Sequence, residues 1–225
     1  MSGTDGKAAI LGNIRRALGR GELSGAARAE CEARLKEHPS NLIPARSKLP
    51  KAEQVELFVK MAEAVKASVT RVARDEDVPG ALVGYLKGQN LPSDVVMAPD
   101  ASLDRYGWQS ERMLSVRRGR PEDADQVGVT GALCGVAETG TLMMASGPDH
   151  PTTLNFMPET HVVVLRAEQV VGAYEEGFNI LRARGATLPR TVNLVTGPSR
   201  TGDIEQKIEL GAHGPRRLHI IVVGD

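Results

Sequence analysis

Hydrophobic residues in the first 70 positions recur at helical spacing. Near the N-terminus the apolar positions are Ile10, Leu11, Ile14 and Leu18. Further on, one apolar face predicts a helix from about Ala52 to Val69, built from Val55, Leu57, Phe58, Met61, Val65 and Val69. The stretch between them, about 39–50, is rich in turn-forming residues. We therefore predict a helical N-terminal extension over residues 1–50 and a second domain over residues 51–225.

From Thr70 onward, short apolar runs alternate with amphipathic segments. Strands are predicted at 70–73, 94–98, 113–116, 141–146, 161–165, 192–196 and 218–223. Helices are predicted at 78–88, 168–184 and 203–210. This alternation is typical of an α/β fold in which helices cover a mostly parallel sheet. Ligands of open α/β sheets gather at the carboxyl ends of the strands, so glycine-rich runs at strand–loop junctions indicate a site.

The composition of the chain bears on the kinds of molecule that it is expected to bind. The chain has 225 residues, of which 41% are hydrophobic and 25% are charged, as in an ordinary globular protein. Lysine plus arginine equals aspartate plus glutamate at 28 each, so charge gives no reason to expect nucleic acid or an anionic membrane as a partner. Because no apolar run is long enough to span a bilayer and the first residues do not form a secretory signal, the expected location is the cytoplasm.

The chain offers few metal ligands in useful patterns. Its two cysteines, Cys31 and Cys134, are far apart and form no C-x-x-C pair, so free thiols are predicted. No H-x-x-x-H or H-E-x-x-H spacing occurs, and the G-x-G-x-x-G dinucleotide fingerprint is absent. The sequence therefore predicts no metal site and no bound cofactor in this chain.

A glycine- and threonine-rich run over residues 128–141 surrounds one carboxylate, Glu138. Glycine is needed where the backbone takes a positive φ or where another group must approach closely, so the run has the character of a loop facing a ligand. Three roles remain open for Glu138: a nucleophile that forms a covalent acyl intermediate, a general base, or a structural acid that accepts backbone hydrogen bonds.

A second polar run covers residues 196–205, after a predicted strand and before a predicted helix. Gly197 begins the turn, and Ser199 or Thr201 can cap the helix. Arg200 and unpaired N–H groups there would attract a phosphate or carboxylate, although Asp203 and Glu205 already complement the helix dipole. An anion-binding turn and a well-capped helix start are both open.

The histidines divide into two kinds. His213 lies between glycines and a proline, where a loop can hold its imidazole near a ligand, and it is the stronger candidate. His161 opens a predicted strand and is interpreted as structural, and Asn155 is assigned to a turn closed by Pro158. The hypothesis that unites these observations is one cleft bordered by both Glu138 and Arg200.

Five ordered motifs between about Gly128 and Val223 resemble the lactate-utilization protein C family, whose members are also called LUD-domain proteins. They are VGVTG with AETGT, MPETHV, RAEQVV, TGPSRTGDIE and GAHGPRRLH. Positions that match these motifs are Thr130, Glu138, Thr139, Gly140, Ser199, Arg200, Asp203, Glu205 and His213. With Gly197 and Thr201, they form the candidate site. The stretch GPDHPTT at 147–153 is more polar than the family pattern.

The resemblance implies a fold similar to the NagB/RpiA/CoA-transferase-like superfamily. It also implies a subunit of an iron–sulfur-containing system that oxidises L-lactate to pyruvate, with the clusters carried by partner proteins and none by this chain. The alternative is a stand-alone enzyme: an acyl-CoA transferase that uses Glu138, or an enzyme like the 5-formyltetrahydrofolate cyclo-ligases. A third hypothesis gives the N-terminal helix the task of docking another subunit.

Overall fold

The computed structural model describes residues 3–21, 23, 25–185, 187–204 and 207–224, with the backbone alone at 3–5, 202–204 and 207–209. The chain divides into two compact units, 1–42 and 43–225. This division falls before the boundary predicted at residue 50. The 3-10 turn Ala45–Ser47 belongs to the second unit, where the Gln54 side chain donates to the carbonyl oxygens of Ser47 and Leu49.

The first unit contains two helices, α1 (Gly3–Ala17) and α2 (Gly25–Glu37). Three apolar residues of α1, Ile10, Leu11 and Ile14, are 61%, 40% and 48% exposed. Helix α2 buries no residue in its described part and carries ion pairs such as Arg28–Glu32. None of the described helices is both long enough and apolar enough to cross a bilayer.

The second unit is built on a six-stranded parallel sheet, which confirms the predicted α/β class. Its order is β1 (Ser68–Val72), β12 (Arg217–Val223), β7 (Thr160–Arg166), β4 (Val127–Gly131), β2 (Asp94–Met97) and β3 (Ser115–Arg118). The central strands β7 and β12 are buried along most of their length because helices and a second sheet cover both faces.

Two helices supply the apolar layers on either side of this sheet. Helix α4 (Val78–Gly88) packs Leu82 and Leu86 against one face, where Val162 and Ile221 also lie. Helix α3 (Lys51–Ala64) packs Phe58 and Ala62 against the other face. At about 25 cal/mol per Å² of buried apolar surface, these two layers supply most of the drive to fold.

A four-stranded sheet packs beside α3 against the same face of the main sheet, in the order β8 (Val170–Val171), β5 (Cys134–Val136), β6 (Thr141–Ala145) and β9 (Val192–Val195). Helix α5 (Tyr174–Ala183) covers it over a small cluster that includes Cys134, Val136 and Met143. A separate antiparallel hairpin joins β10 (Arg200–Ile204) to β11 (Lys207–Leu210).

Three predicted helices differ from the structure. The helix predicted to reach Val69 ends at Ala64, because Lys66 takes a φ of +74° and Ser68 already pairs with His219 in the sheet. The helix predicted from 168 begins at Tyr174, because Val170 and Val171 pair with β5. The helix predicted at 203–210 is wrong: this segment forms the β10–β11 hairpin.

Candidate functional site

A cavity of about 260 Å³ opens at the amino ends of β7 and β12. Its wall includes the start of each strand, the segment that follows β9 and the loop before β12. The lining residues are Asn155, Phe156, His161, Leu194, Val195, Thr196, Gly197, Pro198, Ser199, Arg200, His213, Gly214, Pro215 and Leu218. We call this space the amino-edge cavity. Its position is opposite to the carboxyl-edge site expected from the sequence.

Backbone hydrogen bonds hold the two loops of this cavity together. The Ser199 N–H donates to the Pro215 carbonyl at 2.8 Å, and the Gly211 N–H donates to the Ser199 carbonyl at 3.0 Å. Gly197 has a φ of +78°, and a Cβ there would lie 2.4 Å from the Val65 carbonyl oxygen. Glycine at 197 therefore fixes the turn that brings Ser199 and Arg200 to the wall.

His161 places a buried imidazole in the wall. Its Nε2 lies 2.8 Å from the Thr130 hydroxyl, while its Nδ1 is buried with no hydrogen-bond partner among the described residues. Burial lowers the pKa of His161 to about 4, so the ring is neutral at pH 7. Thr130 itself does not line the cavity and instead orients this histidine.

The charge of the described lining is positive or neutral. Arg200 is exposed at the cavity mouth, His213 is also exposed, and no Asp or Glu is among the described lining residues. A guanidinium at the edge of a small polar cavity favours an anionic ligand, because it can donate two parallel hydrogen bonds to a carboxylate. Gly197, Ser199, Arg200 and His213 are thus the predicted site residues that the structure brings together.

Glu138 lies elsewhere. It sits in the turn between β5 and β6, is only 6% exposed, and is not among the residues that line the amino-edge cavity. Its backbone N–H donates to the Gly172 carbonyl at 3.1 Å, and its Oε2 is buried with no partner in the described part of the chain. The predicted cleft bordered by both Glu138 and Arg200 is therefore not formed.

Glycines in the run 128–141 make close packing possible. A Cβ at Gly135 would lie 2.8 Å from both Leu165 and Phe58, and one at Gly140 would lie 2.2 Å from the Ala62 nitrogen. The first part of this run, 128–131, belongs to the fully buried strand β4. The expectation of a ligand-facing loop is wrong because these small residues let a helix and a second sheet approach the main sheet.

A chain of hydroxyl groups connects the β5–β6 turn to the cavity wall. Thr141 Oγ1 lies 2.7 Å from the hydroxyls of Thr139 and Thr196, and 2.9 Å from the Tyr174 hydroxyl. Thr196 lines the cavity, whereas Thr139 does not. Thr139 is therefore connected to the cavity wall only through the hydroxyls of Thr141 and Thr196.

The remaining predicted residues belong to the β10–β11 hairpin. Thr201 pairs with Glu209 in this hairpin and does not line the cavity. At Asp203 only the backbone is described, and Glu205 lies outside the described residues. Since the described part of this segment is a hairpin, it offers no helix N-terminus to an anion.

Sequence reasoning missed two residues of the wall, Asn155 and His161. Asn155 is only 7% exposed and ends the 3-10 turn Thr152–Asn155 beside the cavity. The available signal was a polar residue placed just before a fully apolar strand. Whether such a residue lines a cavity depends on which loops pack over the strand, and the local sequence does not carry that information.

The described side chains form no metal site, and the buried cysteine is not reactive. No group of three or more His, Cys, Asp or Glu side chains in the described ranges is arranged to hold a metal ion. Both cysteines are free, and burial raises the pKa of the Cys134 thiol to about 11. Cys134 is therefore a protonated core residue at neutral pH.

The parallel sheet, its two covering layers and a small polar cavity define an α/β protein with one compact ligand-sized recess at its amino edge. The sequence model of the LUD domain matches residues 55–223, and the chain belongs to this family. The resemblance drawn from its motifs is thereby confirmed.

Relatives and a solved structure agree with this assignment. A lactate utilization protein C from Deinococcus radiodurans is 31% identical over 185 residues, covering 80% of this chain and 84% of that protein. The uncharacterized protein NMB1437 from Neisseria meningitidis is 36% identical over 96 residues, covering 43% of this chain and 41% of that protein. A lactate utilization protein C from Geobacillus sp. is 30% identical over 132 residues, covering 56% of this chain and 53% of that protein, so the chain spans about half the length of that protein and of NMB1437.

A crystal structure of a DUF162 family protein from Deinococcus radiodurans superposes with a TM-score of 0.60 at 26% identity. The match covers 78% of this chain and 99% of that one. It supports the same α/β fold.

Proposed function

We propose that this protein acts in lactate utilization, as a subunit of an iron–sulfur-containing system that oxidises L-lactate to pyruvate. Its own contribution is to bind a small 2-hydroxy or 2-oxo carboxylate in the amino-edge cavity. The names of several relatives, "Lactate utilization protein C", support the metabolic role. The observation that supports the binding role is the cavity in which Arg200 and His161 share one wall.

The chemistry of the wall suits such a ligand. The Arg200 guanidinium pairs with the carboxylate, and the neutral His161 ring forms an uncharged part of the wall. A volume of about 260 Å³ is smaller than the usual range for drug-sized ligands, so it favours a compact metabolite over a coenzyme A thioester.

The alternatives gain no support from the geometry. An acyl-CoA transferase that uses Glu138 needs an accessible carboxylate, and this one is 6% exposed in a packed turn. A cyclo-ligase needs a nucleotide phosphate site at residues 196–205, where the helix that would have supplied the N–H groups is replaced by a hairpin. In the proposal the iron–sulfur clusters stay on partner proteins, which accept the electrons released when lactate becomes pyruvate.

Arg200→Gln is expected to weaken pyruvate and L-lactate binding by about tenfold or more, because a charge-assisted hydrogen bond is lost. Titration calorimetry on the purified full chain measures this directly. Arg112→Gln is the matched control, since it removes the same charge from an exposed residue that does not line the cavity.

The same variants test the metabolic role in a host strain that lacks the gene. The wild-type chain and Arg112→Gln should restore growth on L-lactate, and Arg200→Gln should not. Normal growth of the deletion strain on L-lactate would overturn the lactate role. If Arg200→Gln restores growth, the protein still acts in lactate utilization, but that role does not depend on ligand binding in the amino-edge cavity.

Removing residues 1–20 is expected to abolish co-purification with the iron–sulfur partners. The exposed apolar residues Ile10, Leu11 and Ile14 of α1 provide a stripe that a partner helix or groove could cover. Because the second unit has its own core, its melting temperature should change by no more than a few degrees. Affinity pull-down of the tagged chain, with and without the segment, measures the first effect, and an intact complex after truncation would refute this docking role.

A further inference from the structure

Three cavities meet around His150, on the edge of the main sheet opposite to the amino-edge cavity. Their volumes are about 240, 270 and 660 Å³, and each has His150 in its wall. Asp100, just after β2, and Gly131, the last residue of β4, border the smallest of them. This is the carboxyl edge of the parallel strands, where open α/β sheets bind their ligands.

His150 is held rigidly in this region. Its Nε2 lies 2.9 Å from Asp100 Oδ2, and this hydrogen bond is the main reason that the pKa of Asp100 falls to about 2. The backbone of His150 also exchanges two hydrogen bonds with Gly147, at 3.1 and 3.2 Å, which closes a tight turn through Pro148 and Asp149. The imidazole therefore has a fixed position and one nitrogen that is not committed to Asp100.

The loop that carries His150 is anchored to the second sheet. The Ser146 N–H donates to the Thr191 carbonyl at 2.9 Å, and the Thr191 N–H donates back to the Ser146 hydroxyl at 2.9 Å. Residues on both sides of this reciprocal pair line the cavities. A ligand would thus meet a preformed surface, which lowers the entropic cost of binding.

Arginines outnumber carboxylates on this surface, where the acids among the described lining residues are Asp100, bonded to His150, and the exposed Asp149. The exposed residues Arg120, Arg184 and Arg190 line the cavities, and none of them is in an ion pair among the described residues. Elsewhere on the same unit, arginines such as Arg117 and Arg166 are neutralised by carboxylates. Guanidinium groups match the geometry of phosphate oxygens through paired hydrogen bonds. Arg120 and Arg190 line the largest cavity and Arg184 the two smaller ones, so a multiply charged anion on this surface can meet more than one guanidinium.

We propose that this carboxyl-edge surface binds a small molecule that carries a phosphate or diphosphate group. Its principal cationic contacts are Arg190, which lines the largest cavity, and Arg184, which lines the two smaller cavities beside it, and His150, common to all three, is a hydrogen-bonding contact. The largest of the three cavities, about 660 Å³, is in the size range of a phosphorylated metabolite or nucleotide. The polar segment 147–153 that departs from the family pattern forms part of this wall, which gives that departure a function.

The test is titration calorimetry of the purified full chain at low ionic strength with pyrophosphate, ATP and malonate. Pyrophosphate should bind, and the double variant Arg184→Gln, Arg190→Gln should bind it at least tenfold more weakly. His150→Gln should weaken binding by a smaller factor. Arg112→Gln, which removes an exposed charge outside these cavities, should bind pyrophosphate like the wild type.

Each outcome supports or overturns the proposal. Binding of ATP with an affinity above that of pyrophosphate identifies a nucleotide as the source of the phosphate, and equal affinities identify a free or minimally substituted phosphate. Malonate binding that is weakened as much as pyrophosphate binding in the double variant, an equal loss of pyrophosphate binding in Arg112→Gln, or no binding of either phosphate probe overturns the proposal. Because all the substituted side chains are exposed or half-buried, unchanged melting temperatures will show that a loss of binding does not come from unfolding.

Discussion

Gly140→Ala is expected to lower the free energy of unfolding by roughly 3–5 kcal/mol. The backbone at Gly140 has a φ of +65°, and a Cβ there would lie 2.2 Å from the Ala62 nitrogen and 2.7 Å from the Ala62 Cα. These are backbone atoms of α3, so the clash cannot be relieved by a side-chain rotation. Strain from the left-handed conformation adds to the cost of separating the β5–β6 turn from the helix.

Thermal unfolding measures this effect, as a fall in melting temperature of roughly 10 °C for a chain of this size. Gly84→Ala is the matched control. Gly84 lies on the exposed side of α4, and a Cβ added there would have no atom within 4 Å, so alanine should stabilise the helix by about 0.5–1 kcal/mol. Unchanged stability in Gly140→Ala, together with lost ligand binding, would instead assign this glycine to a binding loop.

Acidification from pH 6.5 to pH 4 is expected to destabilise the protein through His161 and His219. Burial lowers the pKa of each to about 4, from an ordinary value of 6.5. Within this window the unfolded chain binds more protons than the folded one, so stability is fully present above pH 6.5 and is lost as pH falls. The loss is up to about 3 kcal/mol for each histidine.

The structural cause is the same for both rings. Each has one nitrogen that is buried without a partner among the described residues: Nδ1 of His161 and Nε2 of His219. The His219 ring stacks on Tyr85 with the ring centroids 3.7 Å apart, and its other nitrogen lies 2.8 Å from the Ser68 hydroxyl. A proton added to either ring would be buried without an acceptor, and this cost destabilises the folded state in acid.

Urea unfolding at a series of pH values between 4 and 7 measures how steeply the free energy of unfolding changes with pH. The double variant His161→Gln, His219→Gln should flatten this slope, even if its stability at pH 7 is lower than that of the wild type. His38→Asn changes an exposed histidine and should leave the slope as it is. A double variant with the full wild-type slope would show that other groups, such as carboxylates, are responsible.

The sequence pattern predicts secondary structure best where the side chains of a segment determine by themselves which face is buried. Helix α4 is predicted at the residues where it occurs, 78–88, because Leu82 and Leu86 form a clear apolar face and Pro79 suits a first helical turn. Strands β2, β7 and β12 are predicted within about two residues, since mostly apolar runs of this length are typical of buried parallel strands. Strand β6 is predicted equally well, although it pairs antiparallel with both of its neighbours. The family follows from ordered motifs, which the LUD domain match confirms.

Pattern fails where two conformations have similar local energies. Residues 203–210 have apolar positions that suit either a helix or a strand, and pairing of Arg200 with Leu210 selects the strand. Val170 and Val171 continue a helical stripe, yet their bonding to Gly135 and Val136 draws them into a sheet. In both cases the deciding hydrogen bonds come from residues that are distant along the chain or beyond a turn.

Some residues of the candidate site can be predicted from the sequence, and others only from the structure. The residues themselves indicate that Arg200, Ser199 and His213 belong together, because they occupy short loops with small, polar neighbours. Only the packed structure places His161 and Asn155 beside them and moves Glu138 away into a turn against α3. Which polar groups share a cavity depends on strand order and on the contacts between layers, and these arise from long-range burial that no short stretch of sequence contains.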